Sequence, residues 1–364
     1  MGRMHGGDIY TSPAVLDFSV NLNPGGMPPV LKQAVLASQD AWEVYPDVKQ
    51  RRLRQAAAAY YERQGVRIPA ESFLFGNGAS DLLQAFMLGK KPESVLIPIP
   101  TFTEYEQAAK MAGARVIRLP FSESAGFSYE EAVPRLKKAL EEYRPDLLVL
   151  CNPNNPTGTV LSAESLEYIA GICRETGTFL LADECFGWFL ADAGRGSLLS
   201  AALRDRELFD HAAVLNSLTK ICAMPGLRLG YLVTQSEAVL EHTADHMQPW
   251  PVNACAEAAG IAAFEEYLAE GAKKAAELTA REREYLSEGL RSLGFSVVPS
   301  ETDFLLFHGR DDGTGLKEAC LSRGILLRSC GDFPGLGKNW YRVCARRRDD
   351  NSMLLKALGD ICGG

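Results

Sequence analysis

The segment SLTKICAMPGLRLGY, residues 217–231, sets one lysine and one arginine in otherwise small or apolar surroundings. A buried cation without a partner is costly, so Lys220 and Arg228 each require an anion or a covalent partner. Three other stretches could answer them. Asp183 and Glu184 follow the apolar run TFLLA, where a carboxylate is expensive unless a cation faces it. NPNNPTG, residues 152–158, places three asparagines and two prolines before a glycine and reads as a rigid polar turn. GNGASD, residues 76–81, follows the apolar Phe73–Phe75, and its glycines and Ser80 open a helix whose first backbone amides would bind an anion. Together these stretches offer an amine nucleophile (Lys220), a buried carboxylate (Asp183), a polar turn (Asn155) and a phosphate cradle (GNGAS, Ser217, Thr219 and Arg228).

The elements that must position them can be read from the same sequence. SVLIPI (94–99), DLLVLC (146–151), TFLLAD (178–183) and AAVLNS (212–217) are near-continuous apolar runs, the pattern of strands buried on both faces. Helical patterns lie between them: one opens at Ser128 with Glu131 three residues on, and another covers Ala163 to Glu175. Strands alternating with helices predict a mostly parallel sheet with helices on both faces, and ligands of such sheets sit beyond the carboxyl ends of the strands. The four stretches above occupy those ends. After Pro251 the pattern changes to long helices over 254–292, then short strands FLLFH (304–308), ILLRS (325–329) and YRVCA (341–345), with a helix near 314–322. This predicts an N-terminal arm over 1–30, a large domain over 31–250 and a smaller α+β domain over 251–364.

Composition narrows the possible partners. The 364 residues are 46% hydrophobic and 23% charged, the make-up of an ordinary soluble globular protein with a large core. A net charge of −8 argues against nucleic acid or an anionic membrane as the main partner, so an anionic ligand would need cations gathered locally. The nine cysteines contain no CxxC and no zinc-site spacing, and they read as packing residues of a reducing cytoplasm. No apolar run approaches the ~18 residues of a membrane span. No metal site is expected.

Pyridoxal 5'-phosphate needs all four features named above: an anion cradle, a Schiff-base lysine, an acid partner for the pyridinium nitrogen and a donor to the ring oxygen. NPNNPTG, the Asp of TFLLADE, and SLTK with an arginine eight residues on resemble the fold-type I pyridoxal-phosphate enzymes of the aspartate-aminotransferase superfamily. The resemblance implies an α/β fold: a large domain with a mostly parallel central sheet flanked by helices, plus a smaller α+β domain. It also implies that Lys220 carries the cofactor, that Asp183 pairs with the pyridine nitrogen and Asn155 with the ring oxygen, and that Phe102 of PTFTEY stacks on the ring. Ala79, Ser80, Ser217, Thr219 and Arg228 would hold the phosphate. Tyr45 of VYPD would reach the cofactor of a neighbouring subunit, so a homodimer with its active site at the subunit interface is expected.

Within that superfamily the histidinol-phosphate aminotransferases and the threonine-phosphate decarboxylases of cobalamin biosynthesis compete. HGG (5–7) followed by LDFSVNLNPGGMP (16–28), Phe186 three residues after Asp183, MQPWPVN (247–253) and ILLRSCGDFPGLGKNWYRVCARR (325–347) are similar to the decarboxylase pattern. The resemblance implies decarboxylation of O-phospho-L-threonine, or of O-phosphoserine, with Arg342 and Asn155 on the α-carboxylate, His5 and Arg328 on the phosphate, and Asn21 alongside. One departure is plain: only DIYTSPAV separates HGG from LDFS, where the family carries a longer segment.

Overall fold

A computed structural model describes residues 6–10, 16–192, 194, 196–201, 209–309 and 315–362. Among the described residues eight strands precede residue 250: β1 (Leu16–Asp17), β2 (Phe73–Gly76), β3 (Ser94–Ile99), β4 (Arg115–Pro120), β5 (Leu147–Cys151), β6 (Phe179–Asp183), β7 (Ala212–Ser217) and β8 (Gly230–Val233). Seven of them form one sheet in the order β2-β8-β7-β6-β5-β3-β4, and only β8 runs against the other six. The four apolar runs read from the sequence are its centre. β3, β5, β6 and β7 are buried at every position, as strands covered by helices on both faces must be.

Two strands of this sheet, β4 and β8, were not read as such, for physical reasons. β4 is an edge strand whose Arg115 is exposed, so it lacks an apolar run. β8 has four residues, fewer than a periodicity can mark. The predicted helices are present as Tyr129–Tyr143 and Ala163–Thr176, with the Ser128 hydroxyl accepting from the Glu131 amide at 3.3 Å. The long helical region resolves into Ala254–Ala262, a π turn over Ala263–Tyr267, and Gly271–Ser292.

A second, smaller core gathers Leu16 and Phe18 with Leu286, Leu305, Phe307 and Val343. Its strands are β9 (Ser296–Val297), β10 (Phe304–His308), β11 (Ile325–Leu326), β12 (Arg328–Ser329) and β13 (Trp340–Cys344). ILLRS, expected as one strand, is split at Leu327. β11 pairs in parallel with β1, whereas β12 pairs antiparallel with β13 in the four-stranded sheet β12-β13-β10-β9. The chain's first strand thus closes onto its last hundred residues. Among the described residues no helix is long and apolar enough to cross a membrane, and no group of three or more His, Cys, Asp or Glu is placed to hold a metal.

Candidate active site

β2 runs into the helix Ala79–Lys90 through Gly76, Asn77 and Gly78, and no side chain caps that helix. Gly78 has φ +84°, and a Cβ there would run into the Arg228 guanidinium. A Cβ on Gly230 would come within 2.5 Å of the Ala79 nitrogen. Two glycines therefore let the helix start, β8 and Arg228 share one small space. Arg228 itself adopts a left-handed φ of 60°, with only long contacts to the carbonyls of Asn77 (3.4 Å) and Pro225 (3.5 Å). A guanidinium beside open helix amides is a ready anion site. Ala79, Ser80, Thr219 and Arg228 all face one cavity of about 310 Å³. Ser217 does not: fully buried, its hydroxyl accepts from the Thr219 amide at 3.1 Å and donates to the Leu229 carbonyl at 3.3 Å. It holds the turn from behind the wall.

The carboxyl ends of β3, β5, β6 and β7 deliver the next group to the same cavity. Lys220, Asp183, Asn155, Phe102 and Phe186 line it, and the Lys220 Nζ stands 5.7 Å from the Phe186 ring centre. The Asp183 carboxylate accepts from the Tyr105 hydroxyl at 2.7 Å and from the Cys185 amide at 3.0 Å. Tyr105 was missed in the sequence; the available signal is its place three residues after Phe102 in PTFTEY, at the start of the helix Thr103–Met111. Burial first, and Asp183 second, hold its phenol well above the ordinary range, so it remains a donor. Burial also pushes the Cys151 thiol up to about 12 and the Cys185 thiol well above its ordinary value, so neither is a thiolate nucleophile. Glu184 turns away from this cavity and accepts from the Ser197 hydroxyl (2.7 Å) and the Leu198 amide (2.6 Å).

The NPNNPTG turn is built from two structural asparagines and a third that faces the cavity. Asn152 bonds the carbonyls of Leu161 (3.1 Å) and Gly196 (2.7 Å), and Asn154 bonds the Pro100 carbonyl (2.9 Å) and the hydroxyls of Thr101 and Thr157 (both 2.8 Å). Asn155 is left to present its amide to the cavity, and its Oδ1 accepts from Arg342.

The far end of the cavity is cationic. Arg328 and Arg342 stand directly opposite each other in the β12–β13 register, both buried and both on the lining. Like charges so placed repel, and the arrangement is favourable only with anions to answer it. Arg342 also donates to the Ser19 carbonyl at 3.0 Å, while its Nε is buried without a partner. Burial pushes this guanidinium below its ordinary range. The Asn21 Oδ1, on the same wall, is likewise buried and unpartnered. Gly6 lies against the Ser19 backbone, where any Cβ would clash, and it too lines the cavity. His5 precedes it and lies outside the described residues. Tyr45 is not on this cavity: it is 78% exposed, with its ring stacked on Trp250 at 4.3 Å.

The sequence profile of the family described as aminotransferase class I and II matches residues 13–358. The threonine-phosphate decarboxylase of Salmonella typhimurium is 34% identical, over 99% of this chain and 97% of its own. A histidinol-phosphate aminotransferase of Desulfitobacterium hafniense is 31% identical, over 97% of this chain and 94% of its own. Among solved structures, the histidinol-phosphate aminotransferase of Clostridium acetobutylicum superposes with a TM-score of 0.84 at 26% identity, covering 96% of this chain and 99% of that one.

Proposed function

The chain belongs to the aminotransferase class I and II family, and from that premise we propose that it is a pyridoxal 5'-phosphate enzyme converting O-phospho-L-threonine to (R)-1-amino-2-propanol O-2-phosphate and CO2. The observation that carries this reading is the pair of buried arginines facing one another at the end of a cavity that also holds Lys220 and Asp183. Such a site suits a small amino acid bearing two anionic groups, a carboxylate and a phosphate.

The residues fit the cofactor. The space beside Arg228 that a Cβ on Gly78 would fill suits a phosphate, and Lys220 and Asp183 share its cavity. When bound, pyridoxal phosphate supplies an aldehyde that condenses with amines and a ring that takes up the electron pair released when a bond at Cα breaks. Lys220 would hold it covalently through Nζ, and Lys220 or a water would supply the proton to Cα. Asp183 keeps the ring nitrogen protonated, with Tyr105 and the Cys185 amide fixing its carboxylate. Asn155 has its Oδ1 engaged by Arg342, which leaves its amide NH2 for the ring oxygen. Phe102 covers the ring. Ala79, Ser80, Thr219 and Arg228 hold the phosphate, while Ser217 acts through the Thr219 amide.

Arg342 and Asn155 anchor the substrate carboxylate, Arg328 and His5 its phosphate, with Asn21 between them. This anchoring would decide the reaction by choosing which substituent at Cα is placed to leave. A decarboxylase must place the carboxylate there, and an aminotransferase the hydrogen. Tyr45, exposed in one chain, is suited to the phosphate of a neighbouring subunit's cofactor, so the working unit is a homodimer. We place the enzyme in the cytoplasm, supplying the amino-alcohol phosphate of the cobalamin nucleotide loop.

Histidinol-phosphate transamination is the competing reading, favoured by the 31% identical relative. A panel of substrates separates the two. O-Phosphothreonine should exceed O-phosphoserine in kcat/KM by roughly 10- to 200-fold, the range that one methyl in an apolar pocket supplies. Histidinol phosphate with a 2-oxo acid should give no turnover, and efficient transamination would replace decarboxylation as the reading.

A further inference from the structure

In the segment LDFSVNLNPGGMP, residues 19–22 line the cavity, whereas Asn23 is buried and off the lining. Its bonds run instead to the chain around the lysine. The Asn23 amide donates to the Lys220 carbonyl at 3.0 Å, and its side-chain Nδ2 donates to the Ile221 carbonyl at 2.9 Å, across 198 positions of sequence. The same Nδ2 lies 3.1 Å from the Tyr267 hydroxyl, which itself reaches the Ile221 carbonyl at 3.4 Å. The Asn23 Oδ1 accepts from the Gly25 amide at 2.8 Å. One residue thus holds two consecutive carbonyls of the lysine turn. That turn needs holding, because Ala223 sits in the left-handed region at φ 46°, which a residue with a Cβ adopts only at a cost. At the other end of the segment the Ser19 carbonyl accepts from Arg342 at 3.0 Å, so residues 19–23 span the cavity from its cationic end to its lysine.

We propose that Asn23 is a positioning residue for Lys220: its grip on the Lys220 and Ile221 carbonyls fixes where the amine stands relative to the substrate-facing residues 19–22. The inference rests on the reading above in which Lys220 condenses with pyridoxal phosphate. In that condensation the Lys220 Nζ and the aldehyde carbon form a C=N bond and release one water. Its rate depends on the amine being placed within reach of the aldehyde, and a small misplacement is enough to slow it. The phosphate cradle has separate supports: Ser217 holds the Thr219 amide, and Gly78 leaves room for Arg228. Loss of the Asn23 side chain therefore acts on the amine and leaves phosphate binding in place.

Asn23→Asp is the discriminating variant, because it keeps an acceptor for the Gly25 amide and loses the donor to Ile221. Full-length protein stripped of cofactor is mixed with pyridoxal 5'-phosphate, and the growth of the visible band is followed in time. Pyridoxine 5'-phosphate, an alcohol that cannot condense with an amine, is titrated in parallel. The expected result is attachment slowed about tenfold, with the Kd for pyridoxine 5'-phosphate within about twofold of the native value. Asn23→Ala, which loses both bonds, should slow attachment at least as much, and it carries the test if the aspartate variant folds poorly. Tyr267→Phe should show a smaller effect in the same direction, since the bond from Asn23 to Ile221 remains. In the loaded enzyme, Asn23→Asp should lower kcat for O-phosphothreonine and leave KM unchanged. Native attachment rates in the Asn23 variants overturn the proposal. An equal weakening of pyridoxine 5'-phosphate binding also overturns it and leaves Asn23 as general scaffolding. A native protein that forms no visible band with pyridoxal phosphate would instead sink the underlying reading of Lys220.

Discussion

Replacing Lys220 with alanine is expected to lower kcat for O-phospho-L-threonine by about ten-thousandfold or more, and to remove the visible absorbance of the loaded enzyme. Among the described residues, Lys220 is the one lysine on the cavity lining, so no neighbouring amine can take its place. The change removes both the covalent attachment of the cofactor and a proton donor to Cα, and losses of that order follow when an essential nucleophile is deleted from a site that acts as a unit. Folding should survive. The Lys220 carbonyl, which accepts from Asn23 at 3.0 Å and Ala223 at 3.1 Å, is untouched. A variant that kept its colour and a tenth of its activity would remove Lys220 from the mechanism.

The second large effect belongs to Asp183. Asp183→Asn should reduce kcat by about a thousandfold, roughly 4 kcal/mol of transition-state stabilisation, while the melting temperature of the loaded enzyme falls only modestly. The amide is isosteric: its oxygen can keep the bond from the Cys185 amide, and its NH2, in place of Oδ2, can donate to the Tyr105 hydroxyl. What would be lost is the negative charge proposed to keep the ring nitrogen protonated. Among the described residues Asp183 is the one carboxylate on the cavity lining, and Glu184 is engaged with Ser197 and Leu198 on the other side of the strand end. Activity within tenfold of the native enzyme would show that Asp183 does not serve the ring nitrogen.

These two residues were legible in the sequence for a simple reason. β6 and β7 are apolar along their length and polar at their carboxyl ends, and a buried charge at such a place is costly enough to demand a function. The same argument found Asn155, Arg228 and the glycine turn before Ala79. It could not find Tyr105, whose bond to Asp183 joins residues 78 apart and depends on how β3 and β6 are spaced in the sheet. Nor could it show that Arg328 and Arg342 stand opposite one another, since that requires ILLRS to break at Leu327 and give its second half to β13.

The grip of Arg342 on the Ser19 carbonyl spans 323 residues and was equally hidden. Ser217 is a different case. Motif resemblance implies the phosphate for it, and in the structure its hydroxyl accepts from the Thr219 amide and donates to the Leu229 carbonyl, a local role that spacing did not show. Spacing identifies which residues do chemistry; it does not say which of them touch the ligand and which hold its neighbours.

The most direct test of the account follows the carboxylate itself. Purified enzyme loaded with pyridoxal phosphate is incubated with carboxyl-labelled O-phospho-L-threonine, with no 2-oxo acid present, and the released gas is counted against the amine product. The account predicts labelled CO2 and amino-propanol phosphate in equal amounts over many turnovers. Retention of the label in the amino acid, or in a keto acid formed only when an amino acceptor is added, would contradict it.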